Sequence, residues 1–372
     1  MFGKLRGAVV GYYKTTDRLL IALCVTASAL SVTLLAGLYN TGYATDRQLW
    51  MQVAASSLGL LASVVISKFD YRFLADLWRL YLPLCYGLIV VTFFVGTGRG
   101  ANRAWLEIFG FSLQPAELLK VAFILSFSLH LSKVQEDINQ LPVLALLGLH
   151  GVTPILLIHF LQGDDGTALM FGLILASMLF AAGLSWKYIA AVAGGAVVAA
   201  PLLWFFVLSE YQQKRILITF NPELDPLVYG YQQLNGVLAI GSGQLFGKGI
   251  FTGQHIRVPE IRNDFIFAFL GESTGFMGCL AVVALLMLLC FKLLFNSLRA
   301  VDPLGRYICV GVFAMVAFQA IFNIGMCLSV LPVIGITLPF LSSGGTSVLA
   351  LYAGVGLVLS IYMRSNSNMF ID

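Results

Sequence analysis

Several acidic and basic side chains stand directly beside long apolar runs, where ionised groups are costly. The stretch 258–272, VPEIRNDFIFAFLGE, places Glu260, Arg262 and Asp264 before an apolar, aromatic run and Glu272 inside it. A charged side chain at the centre of a membrane costs roughly 2.5–3.5 kcal/mol on insertion scales, so such groups usually line a polar cavity. An aspartate can also cap the helix that follows it. Asp264 is therefore a candidate for both roles. Glu272, about two helical turns deeper, is expected to be a buried structural acid.

A second group of polar residues lies in region 97–120, which contains GRGANRAWLEIFGFSLQPAELLK. Pro115 suits the first turn of a helix, where its missing N–H costs nothing. Glu117 and Lys120 then lie three residues apart on one helical face and can pair. Such a pair is either neutralised at the membrane rim, with the lysine snorkelling, or lines a polar cavity. Trp105 taken alone is typical of an aromatic residue at the membrane interface.

The stretch QGDDGTA, at 162–168, holds two adjacent acids, Asp164 and Asp165, directly before a helix start at Gly166 and Thr167. Aspartate is among the preferred N-cap residues, and one of the two acids satisfies that role. The second acid is then spare, which is weak evidence for a binding site.

Two glycine-rich stretches indicate close packing and not phosphate binding. In GSGQLFGKG, at 241–249, five residues separate Gly241 from Gly247 and a glycine follows Lys248. A P-loop needs GxxxxGK followed by Ser or Thr, so this spacing excludes one. The stretch SSGGT at 342–346, inside an apolar run, predicts a helix break or a tight helix contact, and pure packing explains it equally well.

The elements that must position these residues are membrane helices. The chain has 372 residues, of which 59% are hydrophobic and only 11% charged, with a mean hydropathy of +0.89. A soluble chain carries about a quarter charged residues, so lipid must be the solvent. Long apolar runs without a period of two favour helices over a barrel. We predict an all-α polytopic bundle forming a single domain over residues 1–372, with about ten transmembrane helices at 18–39, 49–67, 78–96, 115–132, 141–161, 167–184, 187–208, 265–295, 305–329 and 336–363.

The placement of lysine and arginine predicts that both termini are cytoplasmic. Thirteen of the 22 Lys and Arg residues then lie inside and nine outside, five of these in the long loop 209–264. Regions 97–120 and 162–168 fall on the same outer side as this loop, so a shared extracytoplasmic site is expected. The first apolar run is too long for a cleavable signal peptide and is expected to be a retained span. The net charge of +4 mostly reflects the lysines and arginines of the segments predicted to be cytoplasmic, and it does not indicate nucleic-acid binding.

Cysteine and histidine placement indicates neither a disulfide framework nor a metal site. The six cysteines all lie in apolar runs without the spacing of metal ligands, which is typical of small hydrophobic residues. The four histidines are scattered along the chain and form no evident triad.

Five motifs, in the same order along nearly the whole chain, resemble those of the SEDS family (shape, elongation, division and sporulation), typified by RodA, FtsW and SpoVE. The family's PE-x-H-T-D-F motif corresponds to 259–265, its R-x-W and QPSE-x-x-K motifs to 103–105 and 114–120, its QPDxGTA motif to 162–168, its GYQ and IGSGGLFGKG motifs to 230–232 and 240–249, and its PFxSYGGSS motif to 339–347. This chain departs from the family at Arg262-Asn263 for His-Thr, Gly163 for Pro, Gln244 for Gly and Ser343 for Tyr. No departure removes the acid at 264.

The resemblance implies a peptidoglycan glycosyltransferase that polymerises lipid II at the outer face of the bacterial cytoplasmic membrane. Such an enzyme acts in cell elongation, which sets cell shape, or in cell division. Joining an α-linked pyrophosphate donor to a sugar 4-hydroxyl in a β linkage inverts the anomeric centre, so one displacement suffices without a protein nucleophile. Asp264 is then the expected general base, with cationic side chains near the departing pyrophosphate. The residues expected to bind substrate are Arg103, Trp105, Glu117, Lys120, Asp164, Gln232, Lys248, Glu260, Arg262, Ser343 and Gly344.

The resemblance also implies partners and leaves some questions open. The expected partners are lipid II, the growing glycan strand, membrane lipids and a class B penicillin-binding protein transpeptidase. A divalent cation, Mg²⁺ or Mn²⁺, can share the cationic role with Asp164 or Glu117 nearby, and the sequence leaves this open. The short termini and the GSGQLFGKG stretch lean towards the RodA type. Two other classes of function stay open: a lipid II flippase or transporter, and a non-enzymatic scaffold of the cell-wall synthesis complex.

Overall fold

The computed structural model describes residues 11–98, 103–108, 111–227, 230–252 and 254–368. Its first half contains α1 (Arg18–Asn40), α2 (Asp46–Lys68), α3 (Tyr71–Asp76), α4 (Trp78–Val95), the strands β1 (Leu106–Ile108) and β2 (Phe111–Leu113), α5 (Pro115–Val134) and α6 (Leu141–Leu157), which continues as a π-helical turn at Ile158–Gln162. The second half contains α7 (Asp165–Ala181), α8 (Trp186–Phe206), α9 (Glu210–Phe220), α10 (Tyr231–Ser242), α11 (Ile266–Arg299), α12 (Pro303–Cys327) and α13 (Gly345–Asn368). Short 3₁₀ turns lie at Gln135–Asp137 and Pro222–Leu224.

The predicted helical membrane fold is confirmed. Each of the ten predicted spans falls on a helix, and eight of these helices are long and apolar enough to cross a membrane. The other two are α7, which has 17 residues, and α5, which carries Glu117, Lys120 and Lys133. The total of ten spans and their orientation stay predictions.

One predicted boundary is wrong. The last span was expected from residue 336, but α13 begins at Gly345 and residues 328–344 form an irregular loop. Gly335 has φ +72° and Phe340 has φ +62°, which a helix cannot accommodate. The hydropathy of this stretch does not reveal the break, because the loop is itself apolar and its part at 336–342 is largely buried.

The core is built around α12 and α13. Helix α13 packs along α2, and α12 contacts α5, α7, α11 and α13. Close approach depends on small residues: a side chain at Gly59 of α2 would collide with the ring of Tyr352 on α13, at 3.0 Å from Cγ. The Tyr352 hydroxyl shares a hydrogen bond of 2.8 Å with Ser28 Oγ on α1. Small residues at helix contacts are the usual means of association in lipid, where apolar burial drives little.

A short antiparallel hairpin precedes α5. Leu106 pairs with Leu113, Glu107 with Ser112 and Ile108 with Phe111. The chain then enters α5 at Pro115, which occupies the first helical turn as predicted. The hairpin therefore sets where α5 begins, and with it the position of Glu117 and Lys120.

Candidate active site

Asp264 lies in the last turn before α11 and is half-buried. Helix α11 begins at Ile266 with Phe265 in the cap position, and no side chain caps it, so the helix-capping role expected for Asp264 is not observed. The backbone carbonyl of Asp264 accepts a hydrogen bond of 2.8 Å from Asn323 Nδ2. A Cβ placed on Gly335 would lie 3.7 Å from Asp264 Oδ2. The carboxylate therefore lies against the backbone of loop 328–344.

Two motifs that are far apart in the sequence meet at this point. Ser342 Oγ donates to the carbonyl of Asn263 at 2.6 Å and accepts from the N–H of Leu338 at 2.7 Å. The N–H of Ser343 donates to the carbonyl of Arg262 at 2.9 Å. Gly344, half-buried, follows directly at the end of the loop. The RND and SSGG stretches thus form one backbone-bonded unit around Asp264.

The turn that carries Asp264 is held in an unusual conformation at Glu260. This residue has φ +55°, which is uncommon for a residue with a side chain. Its carbonyl accepts the N–H groups of Asn263 and Phe265, and its Oε2 accepts Asn263 Nδ2 at 2.9 Å. Gln232 Nε2 donates to the carbonyl of Pro259 at 3.0 Å. Glu260 and Gln232, both predicted to bind substrate, therefore also shape this turn.

A small, open pocket of about 140 Å³ adjoins the turn. Its lining includes two cations, Arg257 and Arg262, together with Tyr43 and Glu260. Arg262 Nη1 donates to Gln48 Oε1 at 3.3 Å, which orients the guanidinium towards the start of α2. Two arginines against one acid, Glu260, give the lining a net positive charge, which favours an anionic ligand.

A second cluster joins Glu117, Lys120 and Asp164. Lys120 Nζ lies 2.8 Å from Glu117 Oε1, and both side chains are almost fully buried, so the predicted pair is confirmed. Asp164 caps α7 as predicted: its Oδ1 accepts the N–H of Thr167 at 3.0 Å and its Oδ2 accepts Thr167 Oγ1 at 2.9 Å. Gln114 Nε2 also donates to Asp164 Oδ2, at 3.2 Å. The start of α5 and the start of α7 are therefore bonded to each other.

The environment of Asp164 disfavours its charge. Burial raises the pKa of Asp164, the hydrogen bonds from Thr167 oppose this rise, and the negative charge of Glu117 adds to it, while Lys120 lowers the pKa. An acid whose pKa is raised by burial beside specific charges is a frequent feature of functional sites.

Thr346 connects this cluster to the Asp264 unit. Its Oγ1 donates to the carbonyl of Ser112 at 3.2 Å and accepts the N–H of Gln114 at 3.3 Å. Thr346 lies in the first turn of α13, directly after the SSGG stretch that bonds to the Asp264 turn. The two clusters therefore share the N-terminal end of α13 as a neighbour.

Arg103 and Trp105 lie beside the second cluster. The N–H of Arg103 donates to the carbonyl of Gln162 at 3.0 Å, and its side chain is exposed. Trp105 bridges to Thr97 and is half-buried. The carboxamide of Gln162 is fully buried, and neither its oxygen nor its nitrogen has a hydrogen-bond partner among the described residues.

Lys248 belongs to a different cluster. Its Nζ lies 2.7 Å from Oε1 of Glu272, which is fully buried as predicted. Glu272 also accepts the N–H of Ile256 at 3.1 and 3.2 Å, and its Oε2 lies 3.3 Å from Nδ1 of the buried His255. The structure thus gives Lys248 a structural partner, and its contact with substrate stays a prediction.

Sequence reasoning missed three residues of this site. Asn323 and Arg257 lie outside the five motifs, and Gln162 lies in one of them without a predicted role of its own. A detectable signal existed for Asn323 alone: an amide inside the apolar run of α12 is a polar group in a membrane span, and such groups are usually functional.

Glu117 and Asp164 can supply only part of the ligand set of a divalent cation. Within the described ranges, no three His, Cys, Asp or Glu side chains are grouped as metal ligands. Glu117 Oε2 is buried without a hydrogen-bond partner there, and Glu117 is near enough to Asp164 to raise its pKa. Mg²⁺ commonly takes one or two carboxylates and completes its shell with water and substrate phosphates, so these two acids suit such an ion.

The helices and the buried ionic clusters define a polytopic α-helical membrane protein with a polar site at one end of its bundle. A family model for FtsW, RodA and SpoVE, described as cell cycle proteins, matches residues 14–367. The chain belongs to this family, which confirms the resemblance found in its motifs.

Relatives and solved structures agree with this assignment. The chain is 35% identical to the peptidoglycan glycosyltransferase MrdB of Escherichia coli K12, over 84% of each chain. It is also 35% identical to a probable peptidoglycan glycosyltransferase FtsW of Geobacter metallireducens, over 82% of each. Rod shape determining protein RodA of Thermus thermophilus has a TM-score of 0.70 and 27% identity, covering 93% of this chain and 96% of that one. A chain from work on the structural coordination of polymerization and crosslinking by a peptidoglycan synthase complex has a TM-score of 0.80 and 27% identity, covering 94% and 98%.

Proposed function

We propose that this protein is a peptidoglycan glycosyltransferase of the SEDS family that polymerises lipid II into glycan strands. It acts in cell elongation, which sets cell shape, or in cell division. The observation that carries the proposal is the position of Asp264. A half-buried carboxylate lies between two backbone-bonded motifs, beside a pocket with two arginines. The names of the relatives support the same activity.

The proposed reaction is a single inverting displacement. The 4-hydroxyl oxygen of the acceptor sugar forms a bond to the anomeric carbon of the donor, and the bond from that carbon to pyrophosphate breaks. Asp264 accepts the proton of the hydroxyl as it attacks. A positioned general base contributes typically 10²–10⁴-fold to the rate. The undecaprenyl pyrophosphate leaves with both electrons of the broken bond.

Cationic side chains stabilise the charge that develops on the pyrophosphate. Arg262 lines the pocket beside Asp264, and Arg103 is exposed next to the second cluster. Lys120 is buried and paired with Glu117, so its contribution is to neutralise part of the negative charge of the second cluster. Such fixed charges are effective because they need no reorganisation during the reaction. A divalent cation held by Glu117 and Asp164 would supply further positive charge to the pyrophosphate.

The proposed location is the bacterial cytoplasmic membrane, with the site on its outer face. The excess of Lys and Arg in short loops on the opposite side supports this orientation. The proposed partner is a class B penicillin-binding protein. Support comes from the similar chain studied in a peptidoglycan synthase complex that couples polymerization and crosslinking.

The test is polymerisation of labelled lipid II by the purified full-length protein, with and without a class B penicillin-binding protein. We expect Asp264→Asn to lower the rate by roughly 10²–10⁴-fold, because the base is lost while the shape is kept. The control is Asp46→Asn, which changes an exposed acid at the start of α2 and should keep full activity.

Three outcomes would contradict the proposal. Polymer formed by Asp264→Asn at the wild-type rate would remove the base assignment. Movement of lipid II between leaflets without polymer would identify a flippase. Neither polymer nor movement, with an intact protein, would favour a scaffold.

A further inference from the structure

Asn323 joins the two loops that meet at the candidate active site. It lies one turn before the outer end of α12 and its side chain is fully buried. Its Nδ2 donates to the carbonyl of Asp264 at 2.8 Å and to the carbonyl of Ile336 at 2.7 Å. A carboxamide nitrogen has two hydrogens, so one group satisfies both acceptors. Asn323 thus ties the Asp264 turn to loop 328–344.

The distance between these two loops determines what faces the Asp264 carboxylate. Gly335 directly precedes Ile336 and has φ +72°, and a Cβ on it would lie 3.7 Å from Asp264 Oδ2. Cys327, one turn after Asn323, adds a weaker contact, with its Sγ 3.6 Å from the carbonyl of Asp264. If Ile336 moved away from Asp264, the backbone beside the carboxylate would move with it.

Burial strengthens the two hydrogen bonds that Asn323 donates. The side chain of Asn323 is fully buried, so bulk water does not compete for its two donors. In a medium of low dielectric a hydrogen bond gains electrostatic strength, and an unpaired carbonyl costs correspondingly more. Replacing Asn323 would leave the carbonyl of Ile336 without this donor and the carbonyl of Asp264 with only the weaker contact from Cys327.

We propose that Asn323 is a positioning residue for Asp264: its carboxamide holds the Asp264 turn and loop 328–344 in the register that aims the carboxylate at the acceptor hydroxyl. This inference rests on the proposed function, in which Asp264 is the general base. Asn323 touches neither the substrate nor the reacting atoms. Its loss should therefore lower kcat and leave KM nearly unchanged.

The test compares two buried asparagines in the full-length protein with its class B partner. Asn323→Leu removes both donors at similar volume and should lower kcat for lipid II polymerisation by roughly 10²-fold, the cost of a misplacement of about 1 Å. The matched control is Asn296→Leu in α11. Asn296 is equally buried and donates to Asp17 Oδ2 at 2.9 Å, on a cluster that also contains Lys292 and lies at the other end of the bundle. The control should lose thermal stability to a similar extent and keep its kcat.

Asn323→Ser is the second variant, in case the leucine variant does not fold. A hydroxyl can donate only one hydrogen bond, so an intermediate loss of kcat is expected. The proposal is overturned if Asn323→Ser has the wild-type kcat, or if Asn323→Leu and Asn296→Leu lose activity in equal proportion. If Asp264→Asn polymerises normally, the base assignment fails and the positioning role of Asn323 fails with it. If only Asp264→Asn is inactive, the inference on Asn323 alone fails.

Discussion

At the scale of single residues, the acids of this protein differ in what they have as partners. The backbone carbonyl of Asp264 accepts a hydrogen bond, and its carboxylate lies against loop 328–344. Both carboxylate oxygens of Asp164 accept hydrogen bonds, from Thr167 and Gln114. Glu272 accepts hydrogen bonds from Lys248 Nζ and from the N–H of Ile256. Asp164 and Glu272 therefore hold structure through their hydrogen bonds. Asp264 is proposed as the residue that exchanges a proton because it lies between the two backbone-bonded motifs, beside the pocket with Arg257 and Arg262.

The raised pKa of Asp164 predicts a dependence of stability on pH. The folded protein binds this proton more tightly than the unfolded chain, whose aspartate has a pKa near 3.8. The stability gained is present below that value and is lost as the pH rises through the folded pKa. Asp164→Asn keeps an N-cap and has no charge to lose. Relative to wild type, the variant should gain thermal stability as the pH rises above 3.8 and through the raised pKa of the folded protein.

Thermal unfolding midpoints in detergent, measured across this pH range, test the prediction. Wild type and variant share all other titrating groups, so their difference isolates Asp164. A difference that does not change with pH would show that the pKa of Asp164 is not raised.

The buried pair of Glu117 and Lys120 can be structural, functional or both, and a double substitution separates these roles. Removing one partner leaves an unpaired buried charge, which costs roughly 3–5 kcal/mol. Glu117→Gln and Lys120→Met should each lower the unfolding midpoint, and the double variant should recover part of the loss. If the pair is only structural, the double variant also recovers polymerisation. A stable double variant without activity would instead assign Lys120 or Glu117 to the substrate.

At the scale of elements, the packing of the segment that follows α10 against α11 depends on glycine. Gly247 has φ +80°, and a Cβ there would collide with the backbone of Ser273. Gly275 is the point where α11 kinks, with φ +68°, and a Cβ on it would meet the backbone of Leu245 and Gly247. The N–H groups of Lys248 and Gly249 then reach the carbonyls of Glu272 and Ser273. The predicted close packing of the GSGQLFGKG stretch is confirmed.

Substitution of these glycines should have position-dependent effects. Gly247→Ala forces the segment away from α11 and should lower the unfolding midpoint strongly and reduce activity, because α11 follows the Asp264 turn. Gly241→Ala is the matched control, since no atom lies within 4 Å of a Cβ there. Alanine in that helical position is favoured over glycine by about 0.5–1 kcal/mol. Equal midpoints for the two variants would contradict the packing argument.

At the scale of the whole molecule, the bundle is held together unevenly. Helices α12 and α13 are mostly enclosed, whereas no residue of α8 is buried within this chain. The apolar surface of α8 is compatible with lipid as its surroundings. Charged clusters lie near both ends of the bundle, with the Asp17–Lys292 pair at 2.9 Å at one end and the Lys248–Glu272 pair at the other.

The predicted orientation can be tested with two exposed acids. Glu107 lies in β1, on the predicted outer side, and Glu136 lies in the turn after α5, on the predicted inner side. In spheroplasts, Glu107→Cys should react with an impermeant maleimide, whereas Glu136→Cys should react only after permeabilisation. The wild-type chain gives the baseline, since its six native cysteines are buried or half-buried. The opposite pattern would reverse the topology.

The sequence alone determined the helical membrane fold and the main candidate residues. A long apolar run in lipid must satisfy its backbone hydrogen bonds internally, so length and hydropathy suffice to predict a helix. Local rules also held: Pro115 begins α5, Asp164 caps α7 and Glu117 pairs with Lys120 one turn away. Each of these depends on neighbours within a few residues.

Only the tertiary structure decided which distant groups meet. Lys248 pairs with Glu272, 24 residues away, and Ser342 bonds to Asn263, 79 residues away. The SSGGT stretch predicts a break at the end of the loop before α13, but the rest of the loop escaped prediction because hydropathy does not distinguish an apolar loop from an apolar helix. The sequence marks Asn323 as an amide in an apolar run, but its partners are backbone carbonyls, which every residue has, so the sequence does not identify them. Such contacts depend on the packing of whole helices, and no local pattern encodes them.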